Sequence, residues 1–336
     1  TNSACIKNMF DELCADRVIP DMEFFVNRRD APLLTRDGTE AYDHCWNSRE
    51  KKLVSHLYDE YAPILGMSTS DRFADIPIPH HNDWARVQSL EGKWFPHAQG
   101  GVDRTPSSSV PWGEKKDMAV FRGAATGAGV DSKTNQRLRL VEIGEANREL
   151  LDVGITNLNR RPRKLSGIAK PVLIDAGLNG VSEWMSPADQ MKYKYVVHVD
   201  GHAAAFRLST ELGSGSCVVM VESGWKVWYS HLLVPYKHFI PVKADMSDLV
   251  SQIEWCISHD DECKAIAEAS VSFYNEICGK TGIFDSLQHT LCGLFRRGTV
   301  PSPTRRVQRP SVVLDKIEGR ILSHVYEIND VVLGGA

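Results

Sequence analysis

Residues 192–207 read KYKYVVHVDGHAAAFR, and this stretch decides the fold of the second half of the chain. The apolar run at its centre is short and rich in β-branched residues, which is typical of a buried strand, predicted here over 195–200. The alanines that follow favour a helix, predicted over 203–212. A strand that passes directly into a helix is the repeating unit of a parallel α/β sheet.

The same alternation extends in both directions along the chain. Besides 195–200, the predicted strands are 117–122, 172–175, 216–221 and 238–242. The predicted helices besides 203–212 are 135–151, 225–232 and an almost wholly helical stretch over 246–296. This order indicates a doubly wound α/β domain with a mostly parallel sheet.

The first 115 residues carry a weaker pattern. It contains one clear strand over 22–26, a helix around 48–60, and a loop region rich in Pro, Gly and Ser over 92–113. We predict a smaller α/β lobe there. The predicted domains are therefore an N-terminal lobe over 1–115, a second lobe over 116–296, and a Pro/Arg-rich connection with a C-terminal tail over 297–336.

Composition excludes several classes of function. Lys and Arg total 39 against 43 acidic residues, so no overall positive field favours a nucleic-acid partner. No apolar run approaches the roughly 20 residues that span a bilayer, so we expect no transmembrane segment. The 8 cysteines include no Cys-x-x-Cys pair, so we expect no structural metal, while disulfides and buried free thiols both remain open.

Ligands of open α/β sheets bind beyond the carboxyl ends of the strands, so the residues after each strand are the first candidates for a site. Strand 117–122 ends in a loop of small residues, Arg122–Gly129, that leads to a helix carrying Arg137 and Arg139. Small residues let backbone amides approach a phosphate, and arginine offers a fork of donors to its oxygens. The pattern fits a diphosphate site; the alternative is a flexible surface turn.

Strand 195–200 ends in Asp200 and Gly201, and Ala205 falls in the predicted first turn of the next helix. Free amides at that helix N-terminus, together with Arg207, would bind the same anion. The alternative makes Arg207 a surface ion-pair residue and Asp200 a helix cap. Glu222 follows strand 216–221 and could accept hydrogen bonds from a sugar hydroxyl, or be an ordinary exposed loop residue.

Strand 22–26 is followed by Asn-Arg-Arg-Asp-Ala-Pro at 27–32. Asp30 could serve there as a general base, because the two neighbouring arginines favour its ionised form. The alternative is a solvated Arg–Asp pair that closes the strand.

Four blocks of sequence together resemble glycosyltransferase family 90, the family of protein O-glucosyltransferases (Rumi) and capsule-associated glycosyltransferases. They are PDMEFFVNRRDAP at 20–32, FRG at 121–123, the stretch 192–207, and PYKHFIPVKADMSDL at 235–249. Their order and spacing also match, over roughly residues 18–280. The resemblance implies a GT-B fold, with two Rossmann-like lobes facing a cleft.

The resemblance also implies roles for individual residues. Asp30 matches the family's catalytic base, in the N-terminal acceptor-side lobe. The positions that match the family's donor diphosphate contacts are Arg122, Gly123, Ala124, Arg137, Phe206 and Arg207. Ala124 departs from the family, which often has serine there, so only its backbone amide could contribute. Arg139 competes with Arg137 for its role.

The expected activity is an inverting, metal-independent transfer of glucose or xylose from a UDP-sugar to a hydroxyl of a protein or glycan acceptor. The UDP-sugar is a co-substrate, and no other cofactor is expected. The chain contains no Asp-x-Asp, the carboxylate pair with which many metal-dependent sugar transferases hold their ion. The alternative is a non-catalytic protein that binds glycans or nucleotides on the same fold. The sequence leaves the acceptor, the sugar and the cellular compartment open.

Overall fold

The computed structural model describes residues 2–22, 24–36, 63–90, 110–159, 163, 172–174, 181–297 and 325–327. The strands are β1 (Phe24–Val26), β2 (Ile64–Gly66), β3 (Ile76–Pro77), β4 (Lys116–Ala124), β5 (Leu151–Asn157), β6 (Tyr193–His198), β7 (Cys217–Val221), β8 (Ile240–Val242) and β9 (Val325–Glu327). The helices are α1 (Asn2–Asp16), α2 (His81–Leu90), α3 (Gln136–Ala146), α4 (Pro187–Gln190), α5 (Leu208–Leu212), α6 (Leu249–Ser258), α7 (Asp260–Ile277) and α8 (Lys280–Arg296).

The strands form two sheets, and neighbouring strands within each sheet are parallel. The front sheet, as we call it, has the order β3-β2-β1-β9, and the rear sheet has the order β5-β4-β6-β7-β8. The predicted α/β class is therefore confirmed. A parallel sheet in each of two lobes is also what the expected GT-B architecture requires.

The rear sheet reverses its direction of winding between β4 and β6. The chain runs from β4 outward to β5, crosses back to β6 on the other side of β4, and continues to β7 and β8. Such a reversal leaves a crevice at the carboxyl ends of the two strands that flank it. Those ends carry the predicted sequences Arg122-Gly123-Ala124 and Asp200-Gly201.

Two apolar cores support this arrangement. The rear core lies between the rear sheet and helices α3, α6 and α7 and contains the fully buried Tyr195 and Val197. The other core joins α1, α2 and β1 to α5, α7 and α8, so the helices at the end of the second lobe pack against the first. The domain boundaries stay a prediction.

The predicted strand 172–175 and the predicted helix 225–232 are wrong, and the predicted helix 135–151 is too long. Among the described residues 172–174, Val172 forms a single antiparallel bridge with Arg163, and the strand beside β4 is β5 instead. Helix α3 ends at Ala146, where Nδ2 of Asn147 donates to the carbonyl of Ile143 at 2.8 Å.

The predicted helix 225–232 is replaced by an extended segment and a single 3₁₀ turn over Ser230–Leu232. The amide and the carbonyl of Lys226 both pair with Thr69, at 2.8 Å each. This backbone bridge uses the groups that a helix would need, and it ties the segment after β7 to the residues after β2.

The other predictions agree with the structure except at their ends. Strands 22–26, 117–122, 195–200, 216–221 and 238–242 correspond to β1, β4, β6, β7 and β8, and the stretch 246–296 forms α6, α7 and α8. The predicted helix 48–60 and most of the predicted loop 92–113 lie outside the described residues. Within the described ranges, no helix is long and apolar enough to cross a bilayer.

Candidate active site

Two arginine side chains flank Gly123 at the end of β4. A Cβ atom built on this glycine would lie 3.4 Å from Nη1 of Arg137 and 3.5 Å from Nη1 of Arg207. Position 123 therefore lies in contact with both guanidinium groups, and a Cβ there would crowd the ring of Phe121, 3.0 Å away. The sequence predicted these three residues at one site, and the structure brings them together.

Arg207 is held from three directions. Its Nη1 donates to the carbonyl of Arg122 at 2.6 Å, and its Nε lies 3.1 Å from Oε1 of Glu211. The guanidinium carbon lies 4.7 Å from the ring centre of Phe121, a cation–π contact. Both Nε and Nη2 are buried and make no hydrogen bond among the described residues, so the contact of Nε with Glu211 is an ion pair without hydrogen-bond geometry. The site therefore contains two unused donors on a fixed cation.

Arg137 is almost wholly buried and binds backbone. Its Nε, Nη1 and Nη2 donate to the carbonyls of Asp200, Ala124 and Val199, at 3.0, 2.9 and 2.9 Å. Burial and the positive charge of Arg207 lower the pKa of Arg137 to about 9. Arg137 thus joins the end of β4 to the end of β6. Its predicted contact with the donor stays a prediction.

The side chain of Arg122 points to a different partner. Its Nη1 donates to the carbonyl of Asp152 at 2.8 Å, and its Nη2 donates to the carboxylate of Asp152 at 2.5 Å. Asp152 lies on β5, on the side of β4 away from β6. The structure therefore brings the backbone of Arg122, but not its guanidinium, to Arg207. A direct diphosphate contact by Arg122 stays a prediction.

The predicted helix N-terminus after Gly201 is wrong. Residues 201–207 form a loop, and α5 begins only at Leu208 and has 5 residues. Asp200 causes this, because its Oδ1 accepts from the amide of Ala205 at 2.6 Å and its Oδ2 accepts from the hydroxyl of Ser223. The alanine amides are not aligned as a helix end.

Glycine is required at position 201. A Cβ there would lie 2.7 Å from Oγ1 of Thr126 and 3.4 Å from Nη2 of Arg137. The loops after β4 and β6 can approach this closely only without a side chain at that point.

Two buried residues that the sequence analysis missed support Arg207. His198 at the end of β6 lies 2.5 Å from Glu211 through Nδ1 and 3.4 Å from Asp200 through Nε2. Burial lowers the pKa of His198, but the two carboxylates outweigh it and raise the pKa to about 9. The sequence signal that could have indicated this support is the spacing of Arg207 and Glu211, which are four residues apart, as in an ion pair along one face of a helix.

A cavity of about 570 Å³ opens beside these residues, along the ends of β6, β7 and β8. Predicted residues in its wall are Asp200, Ala205 and Glu222, and apolar side chains such as Trp225 and Phe239 line much of the rest. Its size suits a small organic ligand. Glu222 itself is exposed at the rim.

Phe206 connects the rear lobe to the front sheet. Its ring stacks on His80, with ring centres 3.8 Å apart and an angle of 14°. His80 lies just beyond the carboxyl end of β3, on the edge of the front sheet at which Asp30 follows β1. The carboxyl edge of the front sheet thus meets the loop that carries Arg207.

The loop that carries Asp30 is fixed by its neighbours, while the side chain of Asp30 is exposed. Asn27 accepts from the amide of Arg29 at 2.9 Å and donates to the carbonyl of Ala31 at 2.8 Å. Ser68, just after β2, donates to the carbonyl of Asp30 at 2.6 Å. The geometry suits a carboxylate presented to solvent or substrate on a rigid turn. Within the described residues, no group of His, Cys, Asp and Glu side chains could hold a metal ion.

Comparison with known proteins shows which proteins the chain resembles. The chain is 46% identical over 305 residues to protein 035R of Invertebrate iridescent virus 3, covering 90% of this chain and 28% of that protein. It is 30% identical over 264 residues to protein O-glucosyltransferase 2 of Danio rerio, covering 76% of this chain and 43% of that protein. The chain therefore spans less than half the length of both relatives.

One solved structure, Anabaena HepE in complex with UDP and glucose, aligns with a TM-score of 0.34 at 13% identity, over 63% of this chain and 52% of that one. The model of glycosyltransferase family 90 matches residues 5–293, which include the front sheet strands β1 to β3, the whole rear sheet and every predicted site residue. The chain belongs to glycosyltransferase family 90.

Proposed function

We propose that this protein is a UDP-sugar-dependent glycosyltransferase that transfers glucose or xylose to a hydroxyl of a protein or glycan, with inversion and without a metal ion. The observation that carries the proposal is the pair of arginines, Arg137 and Arg207, around Gly123 at the switch point of the rear sheet. A nucleoside diphosphate is the ligand that such a crevice suits. Family membership and the O-glucosyltransferase relatives support the choice of sugar donor.

Asp30 acts as the general base in this proposal. Its carboxylate takes the proton of the acceptor hydroxyl as the oxygen attacks the anomeric carbon of an α-linked UDP-sugar. A bond forms between that oxygen and the anomeric carbon, while the bond to the β-phosphate oxygen breaks. UDP leaves with the electron pair, and the sugar becomes β-linked. No covalent enzyme intermediate is needed.

The arginine pair stabilises the charge that grows on the departing diphosphate. Arg207 has unused donors and a fixed position, and Arg137 adds positive charge behind it. Preorganised charge of this kind does the work that a divalent ion does in other transferases. The cavity beside Asp200 and Glu222 is large enough for the nucleoside.

Asp30→Asn is the decisive variant for catalysis. It should reduce transfer by about two to four orders of magnitude, because proton abstraction by a positioned base contributes on that order. UDP affinity should change less than about twofold, since the base does not contact the diphosphate. Asp21→Asn, which alters an exposed carboxylate before the same strand, is the matched control and should keep full activity.

A UDP-release assay with UDP-glucose and UDP-xylose measures turnover, calorimetry measures UDP binding, and NMR of the product gives the anomeric configuration. Turnover should survive EDTA. Full activity of Asp30→Asn, an α-linked product, or loss of activity in EDTA would each contradict the corresponding part of the proposal. UDP binding without any turnover would instead favour the non-catalytic alternative.

A further inference from the structure

A row of buried polar side chains runs from the wall of the cavity to Arg207. The hydroxyl of Ser223 donates to Asp200, Asp200 faces Nε2 of His198 at 3.4 Å, and Nδ1 of His198 lies 2.5 Å from Glu211. Glu211 then holds Nε of Arg207 at 3.1 Å. The side chains of His198, Asp200 and Glu211 are only 3%, 12% and 10% exposed.

The geometry requires His198 to carry a positive charge. A carboxylate oxygen faces each of its two ring nitrogens, and an ionised carboxylate can only accept hydrogen bonds. A neutral imidazole would point a lone pair at one of the two carboxylates. Both carboxylates are held in the ionised form. Burial raises the pKa of each, but His198 together with Ser223 and the Ala205 amide lowers that of Asp200, and His198 together with Arg207 and Arg137 lowers that of Glu211.

The charges of this cluster do not cancel. Arg137, His198 and Arg207 are cations, and Asp200 and Glu211 are anions, so one positive charge is in excess. The excess lies in a region that is largely closed to water, where charge interactions are strong. Replacing His198 by a neutral residue would remove the excess and leave two carboxylates free to satisfy both arginines.

We propose that His198 and Glu211 are positioning residues for the donor diphosphate: Glu211 holds Arg207 against Gly123, and His198 cancels the charge that Glu211 brings. As a result, Arg207 keeps both its position and its net attraction for an anion. This inference rests on the proposed UDP-sugar donor. It assigns to two buried residues the role of holding and balancing Arg207, and His198 performs it from the wall of the cavity.

Two variants separate charge from packing. In His198→Gln, Glu211 loses its closest cationic partner, so its carboxylate draws on the unused donors of Arg207 and the affinity for UDP falls. In the double variant His198→Gln/Glu211→Gln, two amides face each other, and the neutral glutamine leaves the donors of Arg207 available to an anion. That double variant restores one excess positive charge.

The test is calorimetric titration of the full chain with UDP. His198→Gln should weaken UDP binding about tenfold, and the double variant should bind within about threefold of the wild type. In turnover assays the single variant should raise KM for the UDP-sugar by a similar factor and also lower kcat, because Arg207 stabilises the charge that grows on the departing diphosphate, and the double variant should recover both. Two substitutions that merely damaged packing would add their effects, so recovery in the double variant is the specific signature.

Lys115→Met is the matched control for a buried cation. Lys115 is 5% exposed, and its amine donates to the carbonyl of Met191 and the hydroxyl of Ser216, at the amino ends of the same strands. Its UDP affinity should equal that of the wild type, whatever the change in melting temperature.

Equal UDP affinity in His198→Gln and the wild type would overturn the inference, and so would a double variant as weak as the single one. Should His198→Gln fail to fold, the double variant carries the test alone: binding within threefold of the wild type supports the inference, and a tenfold loss overturns it. A wild-type chain that does not bind UDP would instead refute the proposed donor. The two failures are therefore distinguishable.

Discussion

Three buried polar side chains fix the backbone around Asp30. Asn27 and Ser68 bind the turn itself, and Asp75 accepts from the amides of Leu33 and Leu34 at 2.9 and 2.6 Å. Asp30 could be predicted from the sequence because it follows a strand in a recognisable block. Ser68 and Asp75 could not, because they lie about 40 residues away and only the pairing of β1, β2 and β3 brings them there.

Asp75→Asn is expected to change how the free energy of unfolding depends on pH. Burial raises the pKa of Asp75 to about 6, and the hydrogen bonds that its carboxylate accepts from the amides of Leu33 and Leu34 oppose this effect only in part. The folded chain therefore holds this proton up to about pH 6, whereas the unfolded chain releases it near pH 4. The stabilisation is complete below about pH 4 and is lost as the pH rises through 6.

The asparagine variant has no such proton. Between about pH 4 and pH 7, the free energy of unfolding of the wild type should fall by roughly 3 kcal/mol relative to that of the variant. This is the free energy that corresponds to a difference of about two between the pKa of Asp75 in the folded chain and in the unfolded chain. Urea denaturation across this range measures the difference. Parallel stability curves would contradict the expectation, and Asp21→Asn, at an exposed site, should follow the wild type.

The segments around the crevice show which elements a sequence can predict. The sequence predicts β6 and β7 from their buried apolar runs and α6 to α8 from their apolar spacing, since each of these elements is specified by its own residues. It does not predict where α5 begins, because the carboxylate of Asp200 accepts a hydrogen bond from an amide that a longer helix would have used. The edge strand β5 was also missed, since its first residue fell inside the helical pattern that precedes it.

The contact between α3 and β5 depends on Gly144. A Cβ on this residue would lie 2.0 Å from a methyl group of Val153, so the helix lies directly on the strand. Gly144→Ala should destabilise the protein by about 1–3 kcal/mol, because overpacking exceeds the gain in helix propensity. Thermal and urea denaturation measure the change.

Gly293→Ala in α8 is the matched control. A Cβ there would meet nothing within 4 Å, so the same substitution should stabilise the chain by up to about 1 kcal/mol. Opposite signs at the two glycines are the expected result. Stabilisation at position 144 would show that α3 does not pack on β5 as described.

The two lobes share a core where α8 returns to the front of the molecule. Phe284 of α8 stacks on Trp84 of α2, with ring centres 5.4 Å apart, and Lys280 pairs with Glu12 of α1 at 2.9 Å. The predicted boundary near 115 followed composition along the chain, which carries no information on such returning contacts. The shared core holds the front sheet and its helices α1 and α2 against α5, α7 and α8.

A buried ion pair strengthens this junction. Arg86 of α2 pairs with Asp83 and donates to Thr210 of α5 at 2.7 Å, while Asp83 also accepts from Nε1 of Trp228 at 3.1 Å. Arg86→Met should destabilise the protein by about 3–5 kcal/mol, since it leaves the Asp83 carboxylate buried without a cation. Asp83→Asn/Arg86→Met should recover at least half of that loss.

Because the junction belongs to both lobes, the loss of stability in Arg86→Met should appear in the unfolding of the whole chain. Circular dichroism reports on the helices of both lobes, and tryptophan fluorescence reports on all 8 tryptophans, Trp84 and Trp228 of the shared core among them. The two signals should give coincident urea transitions in the wild type and in both variants. A fluorescence change at lower urea than the loss of helix would mean that tertiary contacts of the tryptophans break before the helices of the two lobes unfold. In that case the junction would lie outside the cooperative unit, and Arg86→Met would lower the fluorescence midpoint while leaving the circular-dichroism midpoint unchanged.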